Sequence, residues 1–217
     1  MKKIDLTTWS RAEHFKFFLP FSQPFFNIVL DLEVKPLFEY AKSQQISFTA
    51  SYLYCLHKAV QQYPPIRYRI VDRGPVEVEN ITLSAVFLRD DESFRFVPLE
   101  FQKSLVDYEL HYQRQKSFHL KKPLLNSMFT NSADNIDQIY ISILPWFKFT
   151  SFKHAENAAF DSGIPKIVFG QYQKEQGVLP VSIEVHHALM DGLHISQFVA
   201  VFNQVIAELI AEKQRKI

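Results

Sequence analysis

The chain has 217 residues, of which 47% are hydrophobic and 22% charged, and its formal net charge is +1. This composition excludes a disordered or fibrous chain, and the scattering of basic residues among acidic ones excludes the clustered positive face that a nucleic acid or an anionic membrane requires. We expect a single domain over residues 1–217. With only one cysteine, Cys55, the chain cannot form an intrachain disulfide or a cysteine-based zinc site, and we predict no metal site.

The sequence also predicts where the protein resides. The first residues lack the apolar core of a signal peptide, and the most apolar early stretch, residues 15–30, is interrupted too often to span a membrane. Together with the single cysteine, these features predict a cytoplasmic protein. A glycine-cradled nucleotide site is excluded as well, because neither GxGxxG nor GxxxxGK[ST] occurs.

Local patterns predict the elements of the N-terminal half. Ser10 and Glu13 have the spacing of a capping box at the start of a short helix. Residues 26–34 alternate in polarity as a strand does, and residues 36–45 are typical of a short helix. Apolar residues recur at helical spacing over residues 48–63, so we expect an amphipathic helix that the following two prolines end.

The C-terminal half mixes strands and helices. We predict two hairpins with turns at residues 73–75 and 89–92, a helix over residues 103–118 and a long polar loop over residues 119–137. Strands are predicted over residues 138–145, 166–173 and 179–185, and a helix runs from about residue 195 nearly to the C-terminus. The mixture lacks strict βαβ alternation. It therefore predicts an α/β (α+β) fold, a two-layer sandwich in which helices cover one face of a mixed β-sheet.

The motif HHALMDG, at residues 186–192, lies where the last predicted strand meets the final helix. An imidazole with an ordinary pKa of about 6.5 is mostly neutral at working pH and accepts a proton from an alcohol or a thiol. Asp191 is placed to orient a neighbour or to pair with a cation, and Gly192 permits a tight turn into the helix. A pair of histidines taken alone is more often structural or metal-binding, but a zinc site lacks a third ligand at standard spacing.

HHALMDG resembles the HHxxxDG signature of the chloramphenicol acetyltransferases, a family of CoA-dependent acyltransferases. The resemblance continues in the family's order over nearly the whole chain, through WxRxEHF at residues 9–15, SILPW at residues 142–146, and Tyr172. It implies the fold of that family, acetyl-CoA as a co-substrate without a permanently bound cofactor, and a small-molecule acceptor. It also implies a homotrimer with active sites at subunit interfaces.

The same resemblance implies roles for individual residues. His187 matches the general base that activates the acceptor hydroxyl for direct attack on the thioester, without an acyl-enzyme. Ser142 matches the serine that stabilises the oxyanion, and Asp191 matches the aspartate that pairs with an arginine, here Arg11, as a structural pair at the site. The acceptor-pocket candidates are Phe15, Phe17 and Phe18, and the candidate on the CoA side is Tyr172.

Four positions depart from the family's pattern. Phe18 replaces a tyrosine, Val168 replaces a threonine, and Ser47 and Gln171 replace lysines that the family uses for CoA. We expect acetyl transfer to be retained while acceptor preference or CoA affinity differs.

The predicted function is therefore transfer of an acetyl group from acetyl-CoA to a hydroxyl of chloramphenicol or a similar aryl-bearing alcohol, which detoxifies the antibiotic. Two alternatives stay open. One is a related CoA-dependent acyltransferase with another hydroxyl or thiol acceptor, such as dihydrolipoamide, although we expect no lipoyl domain and linkers ahead of this chain. The other is a non-catalytic protein of the same fold that binds an aromatic ligand without turnover.

Overall fold

The computed structural model describes residues 1–125, 135–155 and 162–214, with side chains up to residue 212. The helices in these ranges are α1 (Ala12–Phe18), α2 (Lys35–Ser43), α3 (Phe48–Gln62), α4 (Leu105–His119) and α5 (Gly192–Gln214), and a 3₁₀ turn (Pro64–Arg67) follows α3. The strands are β1 (Lys2–Lys3), β2 (Phe25–Glu33), β3 (Tyr68–Val71), β4 (Gly74–Glu77), β5 (Thr82–Leu88), β6 (Phe94–Leu99), β7 (Gln138–Ile143), β8 (Lys166–Phe169) and β9 (Val178–His186).

These elements agree with the predicted ones within a few residues, apart from three points. The capping box was wrong, because α1 begins at Ala12 with Arg11 at its N-cap and no side-chain cap hydrogen bond. The short strand β1, which pairs with β4 in a three-stranded sheet β1-β4-β3, was not predicted. Of the predicted polar loop, residues 126–134 lie outside the described residues.

Six strands form the main sheet in the order β2-β9-β8-β7-β5-β6. The pairs β5/β7 and β7/β8 are parallel, and the pairs β2/β9, β8/β9 and β5/β6 are antiparallel. The predicted mixed sheet is therefore confirmed. Because β2 lies at one edge beside β9, the chain that leads out of α1 comes next to the strand that leads into the HHALMDG motif.

The two faces of this sheet differ in polarity. One row across neighbouring strands contains Ile28, Ile183, Ile167, Ile141 and Ala85. The adjacent row, on the opposite face, contains Asn27, Glu184, Lys166, Tyr140 and Ser84. Successive residues of a strand point to opposite faces, so alternation in the sequence gives one apolar and one polar face.

Helices cover the apolar face, as the predicted two-layer sandwich requires. A small apolar cavity between the layers is lined by Ile167 and Ile183 from the sheet, Leu56 from α3 and Phe198 from α5. Helices α2 and α4 flank α3 in the same layer. By length and composition α5 could cross a membrane, but its stripe of large apolar residues packs in the protein core.

A buried histidine in α3 makes the stability of this fold dependent on pH. His57 is fully buried, and its Nε2 lies 2.7 Å from the carbonyl oxygen of Ile81. Burial lowers the pKa of His57 to about 4, although the hydrogen bond to Ile81 opposes that change. As the pH falls, His57 of the unfolded chain is protonated near pH 6.5, whereas His57 of the folded chain is protonated only near pH 4. The folded state therefore has its full stability relative to the unfolded state above pH 6.5 and loses part of it as the pH falls from 6.5 to 4.

We expect the free energy of unfolding to fall more steeply between pH 7.5 and pH 4.5 in the parent protein than in a His57→Gln variant, which keeps an N–H donor but does not titrate. Over this range the free energy of unfolding should fall by about 2–3 kcal/mol more in the parent protein than in the variant. Urea unfolding at fixed protein concentration measures it. If the free energy of unfolding changed with pH in the same way in both proteins, His57 would not be the cause of the pH dependence.

Candidate active site

The HHALMDG motif forms a sharp corner between β9 and α5. The amide of His187 donates a hydrogen bond to the carbonyl oxygen of Pro24 at 2.8 Å, which continues the β2/β9 pairing by one residue. The amides of Leu189 and Met190 then both donate to the carbonyl oxygen of His186, at 2.9 and 3.0 Å, and turn the chain. Leu189 and Met190 are buried in the core, so the corner is anchored while His187 is only half-buried.

Arg11 holds this corner from the N-terminal segment. It is 6% exposed, and its Nη1 forms an ion pair with Oδ2 of Asp191. Its Nη2 donates to the carbonyl oxygen of His187 at 2.6 Å, and its Nε donates to that of Ala188 at 3.2 Å. One planar guanidinium thus binds three groups of the corner, the carbonyl oxygens of His187 and Ala188 and the carboxylate of Asp191, because its donors form a rigid fork.

Both carboxylate oxygens of Asp191 have partners in the chain. Its Oδ1 accepts hydrogen bonds from the amides of Leu193 and His194 at 3.0 and 3.3 Å, which caps the N-terminus of α5, and it lies 2.7 Å from Nδ1 of His194. Partial burial acts to raise the pKa of Asp191, but the hydrogen bonds from His194 and the guanidinium of Arg11 hold this pKa well below its usual range. A carboxylate this weakly basic does not accept a proton near neutral pH.

The two histidines of the motif have different surroundings. His186 is fully buried, and its Nδ1 accepts a hydrogen bond from the amide of Ala188 at 3.1 Å. The imidazole of His187 contacts two phenyl rings, those of Phe18 and Phe26. Of the two, only His187 is partly exposed.

Ser142 lies far from His187 within one chain. It pairs with Val168 of β8, which in turn pairs with Ser182 of β9, so Ser142 is level with Ser182. His187 comes five residues after Ser182 along an extended chain. At ordinary strand spacing this separates the two residues by about 16 Å along the strands and about 10 Å across them.

The aromatic candidates have three different environments. Phe15 is 1% exposed and belongs to the hydrophobic core. Phe17 is 63% exposed, and Phe18 is half-buried against His187. Tyr172 stacks on Phe38, with ring centroids 4.6 Å apart, and also contacts Phe48 at the start of α3.

Three of the positions that differ from the family's pattern, Ser47, Val168 and Gln171, have defined surroundings in the structure. Ser47 is the N-cap of α3, and its hydroxyl accepts a hydrogen bond from the amide of Ala50 at 3.3 Å. Val168 is fully buried, and the amide of Gln171 donates to the carbonyl oxygen of Phe147.

Cys55 is fully buried, and burial raises its pKa to about 12, so it does not supply a thiolate nucleophile. Among the residues with described side chains, none of the His, Cys, Asp and Glu groups is clustered as metal ligands are.

Comparison with known proteins decides what this corner belongs to. The chain matches the family model of chloramphenicol acetyltransferases over residues 1–203. It belongs to the chloramphenicol acetyltransferase family. It is 28% identical to the chloramphenicol acetyltransferase of Clostridium perfringens, over 94% of this chain and 98% of that one. It is 29% identical to the chloramphenicol acetyltransferase of Bacillus pumilus, over 91% of this chain and 90% of that one.

Solved structures show the same fold. A chloramphenicol acetyltransferase superimposes with a TM-score of 0.82 at 24% identity and covers 95% of this chain and 100% of its own. The dihydrolipoamide acetyltransferase of Azotobacter vinelandii superimposes with a TM-score of 0.63 at 14% identity, over 90% of this chain and 88% of its own. The predicted fold class is thus confirmed, and membership of the chloramphenicol acetyltransferase family makes the chain an acyltransferase.

Some residues of this chloramphenicol acetyltransferase corner were missed by sequence reasoning. His194 follows Asp191 at the spacing of a capping pair at a helix start, and that signal could have found it.

A second group that sequence reasoning missed lies on the polar face of the sheet. Oε1 of Glu184 is 2.8 Å from Nζ of Lys166, and its Oε2 is 3.5 Å from Nδ1 of His154. Burial acts to raise the pKa of Glu184, but His154 and Lys166 hold it at about 2. No local pattern links these three residues, because they come from separate segments.

Proposed function

We propose that this chain transfers an acetyl group from acetyl-CoA to a hydroxyl of chloramphenicol or a similar aryl-bearing alcohol, in the cytoplasm, and so detoxifies the antibiotic. The observation that carries the proposal is the corner itself: a half-exposed His187 on a backbone held by Arg11, which is in turn paired with Asp191. Family membership over residues 1–203 supports the same activity.

In this proposal His187 is the general base. A neutral imidazole nitrogen takes the proton of the acceptor hydroxyl while the oxygen attacks the thioester carbonyl. The tetrahedral intermediate then collapses, the C–S bond breaks, and the imidazolium returns the proton to the CoA thiolate. No acyl-enzyme forms, which agrees with the burial and raised pKa of Cys55.

Ser142 stabilises the oxyanion of that intermediate by donating its hydroxyl hydrogen. A donor must lie about 2.7–3.1 Å from the oxyanion, and the base must reach the attacking hydroxyl at a similar distance. A separation of about 16 Å along the strands is too large for Ser142 and His187 of one chain to act on the same intermediate. This supports a site in which His187 of one subunit faces Ser142 of its partner, within a homotrimer.

The two substrates approach this interface from different groups of residues. Phe17 and Phe18 offer aromatic surface to the aryl ring of the acceptor, since ligand pockets are lined mainly by apolar and aromatic groups. On the CoA side we assign Tyr172, whose ring is held by Phe38 and Phe48. Phosphate contacts through lysines are not part of the proposal, because Ser47 and Gln171 stand at those positions.

The direct test is release of CoA, followed with a thiol reagent, when purified protein meets acetyl-CoA with and without chloramphenicol. We expect release that depends on chloramphenicol, with an O-acetylated product by mass spectrometry. A His187→Ala variant serves as the control for non-enzymatic hydrolysis. Absence of chloramphenicol-dependent release above that control would reject chloramphenicol as the acceptor, and a panel of other hydroxyl and thiol acceptors would then separate another acyltransferase from a binding protein.

A further inference from the structure

Three titratable side chains, here called the Glu184 cluster, meet on the polar face of the sheet outside the HHALMDG motif. Glu184 of β9 pairs with Lys166 of β8, and its Oε1 accepts a hydrogen bond from Nζ of Lys166 at 2.8 Å. Its Oε2 lies 3.5 Å from Nδ1 of His154. The side chain of Glu184 is 3% exposed, whereas those of Lys166 and His154 are 13% and 12% exposed. The carboxylate therefore lies beneath the two basic side chains, which are nearer to the surface.

Lys166 and His154 have hydrogen-bonding capacity that these contacts do not use. An ammonium has three N–H donors, and Glu184 accepts one of them. Nε2 of His154 is buried and has no hydrogen-bond partner in the part of the chain that the structure describes. Two phenyl rings lie beside these groups: that of Phe25 is 4.7 Å from Nζ of Lys166, and that of Phe152 is 4.8 Å from the imidazole of His154. Aromatic surface with a few convergent polar groups is typical of a ligand pocket.

Ser142, the proposed oxyanion donor, lies on the same face of the sheet as the Glu184 cluster. It follows Tyr140 by two residues, and Tyr140 pairs with Lys166, so all three side chains belong to the polar face. Ser142 and Lys166 are one strand and two residues apart, which places their Cα atoms about 8 Å from each other. A drug-sized acceptor can therefore contact both residues.

The Glu184 cluster and the assigned CoA side lie in opposite directions from Ser142. Val168 of β8 is level with Ser142, Lys166 precedes Val168 by two residues, and Tyr172 follows it by four, beyond the end of the strand. In the proposed site CoA extends from Ser142 towards Tyr172, and the acceptor approaches from the other direction. The cluster is then close to the end of the acceptor that does not react.

We infer that Lys166, with His154 beside it, donates a hydrogen bond to an oxygen atom of the acceptor remote from the reacting hydroxyl, and so selects aryl alcohols that carry a polar substituent such as a nitro group. This inference rests on the proposed function, in which Ser142 marks the reacting centre. Glu184 neutralises the charge of Lys166 within the cluster, so an uncharged oxygen binds there without leaving an unpaired charge. The cluster thus acts on the choice of acceptor and not on the chemical step.

The kinetic test compares chloramphenicol with two analogues, one with hydrogen and one with a methylsulfonyl group in place of its nitro group. We expect the hydrogen analogue to have a KM about 10-fold higher, because it cannot accept the hydrogen bond from Lys166. Its kcat should stay similar, since a contact remote from the reacting atoms stabilises ground state and transition state alike. The methylsulfonyl analogue keeps two oxygen atoms and should keep the KM of chloramphenicol. Equal KM values for chloramphenicol and the hydrogen analogue would overturn the inference.

A Lys166→Met variant assigns this preference to the ammonium. The ratio of the two KM values should fall from about 10 to about 1 in Lys166→Met and be retained in Lys166→Arg, which keeps a charged donor. Lys103→Met, the same change at an exposed lysine before α4, is the matched control and should keep the parent ratio. If Lys166→Met fails to fold because Glu184 loses its partner, the double variant with Glu184→Gln leaves no buried unpaired charge. A ratio that stays at about 10 without the ammonium would contradict the assignment.

A binding measurement needs no turnover. Calorimetric titration of the His187→Ala variant should show chloramphenicol binding about 10-fold more tightly than the hydrogen analogue, and added Lys166→Met should abolish the difference. If the parent protein acetylates no acceptor, the proposed function fails, while this titration still decides whether Lys166 binds the oxygen atoms. Identical titrations for the two compounds, including no binding by either, would overturn the inference.

Discussion

Mixing two inactive variants, His187→Ala and Ser142→Ala, under conditions of subunit exchange is expected to restore acetyl transfer. The first variant lacks the general base, which contributes about 10²- to 10⁴-fold to the rate. The second lacks an oxyanion donor, which contributes about 10²- to 10³-fold. When each site takes His187 from one chain and Ser142 from its partner, random mixing leaves both residues intact in about a quarter of the sites.

The recovered activity should therefore approach about a quarter of that of the parent protein, measured as chloramphenicol-dependent release of CoA. The same mixture kept without subunit exchange is the control and should stay inactive. Formation of hybrid oligomers can be followed independently by giving one variant a charge tag and separating the species by native electrophoresis. Hybrids that form but remain inactive would contradict the two-chain site.

Replacement of Arg69 by methionine is expected to destabilise the protein by about 3–5 kcal/mol, because it removes a buried charged donor from several acceptors at once. Arg69 is fully buried, and burial lowers its pKa to about 9, so it stays protonated at neutral pH. Its guanidinium donates to carbonyl oxygens of four residues: Ile136 at 2.7 Å, Ile66 at 3.1 Å, Tyr68 at 2.7 Å and Gln138 at 2.6 Å.

These acceptors belong to the 3₁₀ turn, to β3 and to the segment that enters β7, so Arg69 joins the small sheet to the strand that contains Ser142. The midpoint of guanidinium unfolding measures the loss. Arg114→Met, at an exposed position in α4, is the matched control and should change stability by less than about 0.5 kcal/mol. Equal midpoints for the two variants would show that the buried guanidinium is dispensable.

Much of the fold could be predicted because its elements carry strong local patterns. The helical spacing of apolar residues predicts α3 and α5, and the alternation of polarity predicts β2. The capping box at Ser10 failed for a tertiary reason, since the neighbouring Arg11 is drawn to Asp191 and lies at the N-cap itself. The strand β1 was missed because two residues are too few to form a pattern.

The sequence by itself also determined which chemical groups are available to the proposed site. HHALMDG, the early arginine and the serine before LPW supply the residues of the proposed site, and the resemblance to chloramphenicol acetyltransferases suggests their roles. The buried position of Cys55 follows from its place on an apolar helical stripe. All of these features are read from residues that are neighbours in the chain.

Tertiary structure alone decided how these residues are arranged. The contact between Arg11 and Asp191 joins positions 180 residues apart, and the stack of Phe18 on His187 depends on how α1 packs beside β9. The register of β7, β8 and β9 separates Ser142 from His187, and a shift of one residue would move either side chain to the other face of the sheet. Local propensity contains no information on register or on packing between distant segments, because both are fixed by the burial of side chains that meet only in the folded chain.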